Sequence, residues 1–320
     1  MKNRTGVYII RRDLRISFLC CLPATLLCAA THDCDRTCLK GALDQYLNAL
    51  VRHDVSAAPL LAGFRQTENA AVVKLGAGTW QSITALGKLQ RRYFDADTEQ
   101  AGYFGLIEEK AGSAIVTLRI RVAGRQIAEA EWVIARKGDA GPNGPPTPGQ
   151  PAGGFFDPEN LAANPPPDRI LPPRERLPRE ALIGIANSYF DGLSAHDGTL
   201  VASQPGCARI ENGFTVTGRP IPDQAGVKTD CASNLTAFNI QYVAARRFPI
   251  VDEQAGVVLG IGIFIRRPGT AQRRNLLTEW FTIDQKQIRS IHAAMFYPPA
   301  ETPIPNWPPY NGNWPLSAEK

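Results

Sequence analysis

Two stretches of the chain, Tyr46-Leu-Asn-Ala-Leu-Val-Arg-His-Asp54 and Tyr189-Phe-Asp-Gly-Leu-Ser-Ala-His-Asp197, decide the fold because they are copies of one pattern. The pairing continues without a gap, with further identities at Gly63 and Gly206, Glu68 and Glu211, and Asn69 and Asn212. Seven identities at one constant offset are more than chance pairing gives. The sequence therefore predicts an internal duplication.

Two further matches keep the same order along the chain. They pair residues 108–112 with 252–256, and residues 126–127 with 287–288. We therefore predict that both copies extend well beyond the first matched segment. The preserved order indicates that a whole domain was duplicated.

These matches divide the chain into five predicted segments. Two related domains over residues 34–137 and 178–300 are separated by a Pro/Gly-rich linker over 138–177. Proline removes backbone donors and glycine costs entropy, so no packed element is expected in the linker. A signal segment over 1–30 precedes the domains, and a Pro/aromatic tail over 301–320 follows them.

Hydrophobic periodicity predicts the same elements in both copies. A helical stripe runs from Cys38 to Arg52, and Asp54 is placed to cap a second short helix. Alternation over 116–122 predicts a half-buried strand, and residues 126–136 return as its partner. In the second copy, strands are predicted over 257–267, 276–284 and 287–297. The fold class is therefore α+β.

A helix followed by long antiparallel strands, with His-Asp after the helix and then Glu-Asn, resembles the NTF2-like (SnoaL-like, cystatin-like cone) fold. The tandem arrangement resembles an exported bacterial and fungal family of unknown function. The resemblance covers residues 34–137 and 178–300. It implies two tandem domains, each with helices packed on a curved sheet that curls around a small-molecule pocket.

The first 30 residues have the pattern of a secretory signal. Basic residues lead into a short apolar run that ends in small residues at Cys28-Ala29-Ala30. The run is shorter than the about 20 apolar residues that a membrane-spanning helix needs. We therefore expect cleavage near Ala30, a secreted or periplasmic protein, and no membrane span in the mature chain.

The basic charge of the chain is concentrated in that segment. The formal net charge is +5, and residues 1–30 carry five basic side chains and one acidic one, which leaves +1 for the remainder. No basic stripe with interleaved aromatic residues appears. The composition therefore gives no reason to expect a nucleic-acid partner.

Four cysteines remain after the predicted cleavage, and an even number in an oxidising compartment indicates disulfides. Three pairings are possible, of which we favour Cys207–Cys231 and Cys34–Cys38. The chain contains no C-x-x-C motif and four histidines in all. A metal site is therefore not expected.

No nucleophile elbow, phosphate loop or dinucleotide fingerprint is present, so no cofactor is implied. The first catalytic candidate is His292 at a strand centre, with Glu279 on the neighbouring strand to orient it. The alternative is a core histidine satisfied by hydrogen bonds. Glu211 is the third catalytic candidate, with Arg209 and Asn212 beside it to polarise a substrate.

The remaining candidates are predicted to line a pocket. Glu68 and Asn69 repeat the Glu-Asn pair, although both pairs are also explained by structural hydrogen bonding. Arg119 is expected to reach Glu131 from the preceding strand, as a structural ion pair or as a polarised pocket floor. Further candidates in reserve are the aromatic residues Trp80 and Tyr242. Arg266 and Arg267 are expected at solvated strand ends.

We therefore expect an exported, cofactor-independent acid–base enzyme of the isomerase or lyase type, acting on a small apolar or aromatic compound. The alternative is a non-catalytic protein that binds a ligand or joins an envelope assembly. The two copies differ at the candidate positions, since Glu131 aligns with His292. This difference suggests a third reading, in which the first copy is structural and the second functional.

Overall fold

The computed structural model describes residues 33–146, 155–220, 228–235, 239–270 and 272–299. The predicted signal segment over 1–30, its cleavage point at Ala30 and the tail over 301–320 lie outside the described residues. Among the described helices, none is both long and apolar enough to cross a membrane.

The first repeat contains α1 (Arg36–Val51), a 3-10 turn (Val55–Ala57), β1 (Leu60–Glu68), β2 (Ala71–Val73), α2 (Thr79–Ser82), β3 (Ile83–Asp95), β4 (Gln100–Glu109), β5 (Gly112–Ala123) and β6 (Gln126–Arg136). The segment between the repeats contains α3 (Pro158–Ala163) and a 3-10 turn (Pro173–Glu175). The second repeat contains α4 (Arg179–Ala195), a 3-10 turn (Gly198–Leu200), β7 (Ser203–Glu211), β8 (Phe214–Thr215), β9 (Ile240–Asp252), β10 (Val257–Arg266), β11 (Asn275–Asp284) and β12 (Gln287–Phe296).

The two repeats have the same sheet topology. The first sheet has the order β2-β1-β6-β5-β4-β3 and the second the order β8-β7-β12-β11-β10-β9. β1 pairs in parallel with β6, and β7 with β12, while the other neighbours are antiparallel. The predicted α+β class and the duplication are therefore confirmed as two repeated six-stranded sheet domains.

The start of each repeat follows from local sequence. Asp35 caps α1 by accepting a hydrogen bond from the Cys38 amide, and the apolar side chains of the helix are buried against the sheet. Asp54 and Asp197 accept from the amides two residues later and begin the 3-10 turns. The predicted capping role of Asp54 is confirmed.

One of the sequence matches is wrong. Residues 252–256 form the turn between β9 and β10, whereas residues 108–112 lie at the turn between β4 and β5. In the shared topology, Asp252 therefore corresponds to Asp95 at the end of β3. The match of 126–127 with 287–288 is correct, because each pair begins the last strand of its repeat.

Part of the predicted linker is packed on the second repeat. Asp157 caps α3 through the Asn160 amide, and Leu161 and Leu171 are buried. The Asp157 amide donates to the Asn212 carbonyl at 2.8 Å, and the Leu171 amide to the Gln254 carbonyl at 2.7 Å. The expectation that no packed element forms here is wrong from residue 155 onward, because leucines between the prolines supply apolar surface to bury.

The two sheets pack against each other through the faces that lie away from α1 and α4. We call these the outer faces, and both repeats belong to one compact unit. The Thr117 and Thr278 hydroxyl oxygens lie 2.8 Å apart at this interface, and the Trp280 indole donates to Thr117 at 3.0 Å. Around them lies a buried apolar cluster to which both sheets contribute.

Reciprocal ion pairs tie each helix start to the other repeat. Arg36 at the start of α1 contacts Asp252 at 2.8 Å, and Arg179 at the start of α4 contacts Asp95 at 2.6 Å. The same two aspartates accept backbone N–H groups from the opposite repeat at 2.9 and 2.8 Å. The two repeats therefore make equivalent contacts with each other, as expected for an approximate two-fold symmetry.

Glu131 lies in the interface between an arginine of each repeat. Arg119 Nε contacts one of its oxygens at 2.8 Å, and Arg247 donates to both. Burial alone would raise the pKa of Glu131, but Arg247 and Arg119 hold that pKa below its usual value. The predicted Arg119–Glu131 ion pair is confirmed, and its buried position between the sheets contradicts the pocket-lining role expected of both residues.

Both favoured disulfides are present. Cys34 pairs with Cys38, and Cys207 pairs with Cys231. The first lies at the start of α1, and the second joins β7 to the segment before β9.

Replacement of Glu131 by Gln is expected to lower the free energy of unfolding by about 3–5 kcal/mol, because the buried Arg247 and Arg119 both lose an ion pair, although Arg119 keeps its contact with Glu129 at 3.0 Å. The shift of the urea unfolding midpoint measures this loss. Lys40→Ala is the control, because Lys40 pairs with Asp44 at the surface and about 0.5 kcal/mol is expected there. Equal losses in the two variants would contradict the role assigned to Glu131.

Replacement of Cys207 and Cys231 by Ala is expected to cost about 3 kcal/mol of unfolding free energy, because this bridge closes a sequence separation of 24 residues. The matched Cys34/Cys38 double variant removes a bridge with a separation of 4 residues, and a smaller loss is expected. Urea unfolding of both variants measures the two losses. A larger loss in the Cys34/Cys38 variant would refute this ranking.

Candidate functional site

The second repeat contains a cavity of about 220 Å³ between α4 and the inner face of its sheet, which is the face opposite the outer face. Its lining combines apolar and polar side chains from α4, β7, β10, β11, β12 and neighbouring segments. The lining residues are Pro142, Phe155, Tyr189, Leu193, Glu211, Asn239, Phe264, Arg266, Gln272, Asn275, Met295 and Tyr297. This mixture is typical of small-molecule sites, although the volume is below the about 300 Å³ of the smallest usual ones.

A buried ion pair lies beside this cavity. Arg209 Nε and Glu211 Oε1 are 2.9 Å apart, and Arg209 also donates to the Tyr189 hydroxyl at 2.7 Å. Glu211 and Tyr189 line the cavity, whereas Arg209 is 1% exposed. The sequence predicted that Arg209 and Glu211 act together, and the structure places them in contact.

Glu279 is a second carboxyl group close to this pair. It is 1% exposed, and within the described part of the chain its Oε2 has no hydrogen-bond partner. Burial raises the pKa of Glu279 well above its usual value, and Glu211 raises it further, while Arg209 partly opposes both. A buried carboxyl group with a raised pKa therefore lies near a second carboxyl group that faces the cavity, an arrangement suited to moving a proton.

The first repeat has different side chains at the corresponding positions. Glu68 and Glu211 are equivalent residues of the two repeats. Glu68 lies opposite Trp132 and Glu211 lies opposite Ala293, so Trp132 corresponds to Ala293. By the same register, Leu118 corresponds to Glu279. The position of Arg209 is taken by Gln66, which accepts from the Trp80 indole at 2.9 Å and contacts the Tyr46 hydroxyl at 3.0 Å. Uncharged side chains thus occupy the positions of Ala293, Glu279 and Arg209 in the first repeat, while the position of Glu211 keeps a glutamate, Glu68.

The predicted contact between Glu279 and His292 is wrong. Strand register places Trp280 opposite His292 and Ala293 opposite Glu279, so the two side chains lie on opposite faces of the sheet. His292 Nε2 lies 3.0 Å from the Asn164 carbonyl and its ring packs against Phe104 of the other repeat.

The environment of His292 matches the structural alternative. The side chain is 3% exposed, and burial lowers its pKa to about 4. The ring is therefore neutral near pH 7, so its Nε2–H donates to Asn164. His292 also borders a separate shallow groove beside β7, and it does not line the cavity of the second repeat.

The repeated Glu-Asn pair is largely structural. The Asn69 side chain donates to the Ile134 carbonyl and accepts from its amide, and Asn212 makes the same two bonds to Met295. Both asparagines have positive φ, which this residue type tolerates. Both side-chain amides therefore hold the last strand of their repeat in place, and neither asparagine lines the cavity of the second repeat.

Three other predicted pocket residues also belong to the scaffold. Glu68 Oε1 accepts from the Thr79 amide at 2.7 Å and holds the start of α2. Trp80 is 2% exposed and packs edge-on against Tyr46 at a centroid distance of 5.5 Å. Tyr242 packs against the apolar cluster between the sheets. None of the three lines the cavity of the second repeat.

Sequence reasoning missed Arg266, Tyr189 and Tyr297 as cavity residues. Arg266 was expected at a solvated strand end, which describes the exposed Arg267 correctly. A strand-by-strand alignment of the repeats would have identified Arg266 as a candidate. It pairs Arg266, the last residue of β10, with Glu109, the last residue of β4, so the charge at this position is reversed between the repeats.

The residues that the structure describes contain no group of three or more His, Cys, Asp or Glu side chains placed to hold a metal ion. The two acidic groups near the cavity, Glu211 and Glu279, are accompanied by Arg209.

Residues 175–295 match the family model described as "Domain of unknown function (DUF8021)". The matched segment includes α4, β7 to β11 and nearly all of β12, and therefore most of the cavity lining. A comparison with curated proteins finds none that matches the chain. The family description states no activity or ligand.

Replacement of Glu279 by Gln is expected to change the pH dependence of stability. As pH rises, the free energy of unfolding of the variant should increase relative to that of the wild type. The folded state retains a proton on Glu279 that the unfolded chain releases above about pH 4.3. Stability is therefore lost with rising pH until the folded pKa is passed. The amide has no proton to lose, so the stability difference should grow by about 1 kcal/mol or more between pH 4.5 and 8.

Urea unfolding at both pH values measures this difference. Glu180→Gln is the control, because it makes the same chemical change at an exposed glutamate in the first turn of α4. If the Glu279→Gln difference stays constant across this range, Glu279 is ionised in the folded protein.

Proposed function

We propose that this is an exported protein whose second repeat binds a small organic molecule in its cavity and performs cofactor-independent acid–base chemistry on it, as an isomerase or lyase. The observation that carries the proposal is the divergence of the repeats at equivalent interior positions. Trp132 and Leu118 correspond to Ala293 and Glu279. The exchange removes a large side chain and adds an ionisable one in the second repeat.

The proposal assigns the base to Glu211, which faces the cavity. Arg209 holds its carboxylate at 2.9 Å and limits its orientation. Glu279 supplies the acid beside it, because burial, and after it the nearby Glu211, raises the pKa of Glu279. Tyr189 completes the polar end of the cavity as a hydroxyl held by Arg209. His292 has no part in this mechanism.

Two further parts of the proposal concern fold and location. Each repeat packs a helix on a mixed six-stranded sheet, which supports the NTF2-like assignment made from the sequence. The two disulfides support an oxidising compartment, in agreement with the secretory pattern of the first 30 residues.

Solvent deuterium provides a test that does not require the substrate to be known in advance. The chain from residue 31 is incubated in D₂O with small carbonyl-containing aromatic and alicyclic compounds, and deuterium incorporation is measured by NMR. A base at Glu211 is expected to exchange an activated C–H proton of a compound that binds. Glu211→Gln is expected to slow this exchange at least 100-fold, the usual contribution of general acid–base catalysis being about 10²–10⁴-fold.

Glu68→Gln is the matched control, because Glu68 occupies the same strand position in the first repeat and should leave the exchange unchanged. Ala293→Trp restores the large side chain of the first repeat and should abolish binding in a thermal-shift assay. Binding without exchange would identify a non-catalytic ligand-binding protein. Exchange that survives both Glu211→Gln and Ala293→Trp would refute the proposed site.

A further inference from the structure

Arg266 lines the cavity and is the last residue of β10. Its Nε donates to the Arg273 carbonyl at 2.9 Å, and one terminal nitrogen lies 3.4 Å from the Asn275 side-chain oxygen. Among the described residues, no carboxylate is within ion-pair distance of its guanidinium. A cation of the protein therefore borders the cavity with only neutral hydrogen-bond partners.

The equivalent position in the first repeat, at the end of β4, is part of an ion pair, whereas Arg266 has no such partner among the described residues. β4 ends at Glu109, which forms two hydrogen bonds with Arg136, at 2.6 and 2.8 Å. In the second repeat Arg266 replaces Glu109, and the register places Tyr297 at the position of Arg136. One repeat closes this end of its interior with an internal ion pair, while the other retains a cation and has no carboxylate opposite it.

The electrostatics of the two arginines differ accordingly. Hydrogen bonding to Glu109 is the main effect that raises the pKa of Arg136. Burial lowers the pKa of Arg266, and the more distant Tyr297 and Glu211 only partly oppose this. The charge of Glu211 is already paired with Arg209 at 2.9 Å. Arg266 is therefore the charged side chain of the cavity lining that has no carboxylate paired with it among the described residues.

We propose that the ligand of this cavity is a small monocarboxylic acid, whose carboxylate forms with Arg266 the ion pair that Glu109 forms with Arg136 in the first repeat. This inference rests on the proposed small-molecule site. The apolar part of the acid packs against Leu193, Phe264 and Met295. Its far end then faces Glu211. A cavity of about 220 Å³ suits a single ring or a short branched chain.

Matched acids and amides test the proposal directly. Benzoate, phenylacetate and cyclohexanecarboxylate are compared with their primary amides by ligand-observed NMR titration against the chain from residue 31. Each acid is expected to bind at least tenfold more tightly than its amide, because the carboxylate accepts charge-assisted hydrogen bonds from the guanidinium. Arg266→Gln is expected to reduce this ratio to about one, since the amide and the acid then meet the same neutral group.

Arg267→Gln is the matched control, because Arg267 is the exposed next residue and the acid preference should persist. Tyr297→Glu is a second, independent variant that places a carboxylate opposite Arg266 and should abolish acid binding while the protein remains folded by circular dichroism. It keeps the test decisive if Arg266→Gln does not fold.

The outcomes separate this inference from the function on which it rests. Acids and amides that bind equally, with binding lost in Ala293→Trp, would overturn the carboxylate assignment and leave the cavity as the site. An acid preference that persists in Arg266→Gln would also overturn it. If no acid or amide binds, both the assignment and the proposed function fail.

Discussion

The central constraint on this structure is the burial of Glu131 between an arginine of its own repeat and one of the other. Charges removed from water are costly unless they are paired with good geometry, so Arg119 and Arg247 must meet Glu131 in one arrangement. This requirement fixes the two outer faces relative to each other, and the apolar cluster around them supplies the hydrophobic contribution. Because both outer faces are buried in the contact between the repeats, each repeat forms its own core between its helix, α1 or α4, and the inner face of its sheet.

The two repeats share the same backbone fold but differ in the side chains of their interiors. Asn69 and Asn212 make identical pairs of hydrogen bonds to the last strand, and removal of either would leave buried backbone groups without partners. The interior positions between Asn69 or Asn212 and the helix are not required to form such hydrogen bonds, so their side chains can differ. A tryptophan in one repeat and an alanine in the other are both compatible with the same backbone, and the alanine lies beside Glu211 and two positions before Met295, which both line the cavity.

Much of the fold could be predicted from alternation, helix periodicity and cysteine number, because these signals are local. The positions of side chains across strands could not. A regular two-residue turn at Gln285-Lys286 would place Glu279 directly opposite His292, as the sequence suggested. An extra residue at Arg289 forms a bulge that shifts the register by one, so the two side chains lie on opposite faces. Ala128 makes the same bulge in the first repeat. Arg209 and Glu211 are two positions apart on one strand, so no cross-strand register was needed to group them, and their side chains are in contact.

The exchanged contacts of Arg36 with Asp252 and Arg179 with Asp95 are those that two identical subunits related by a two-fold axis would make. In such a homodimer every substitution appears twice, so an interior cannot be emptied on one side and kept filled on the other. Joining the copies in one polypeptide removes that restriction. One half can then serve as a permanent, well-packed partner, while the other accepts the instability of a hollow, charged interior.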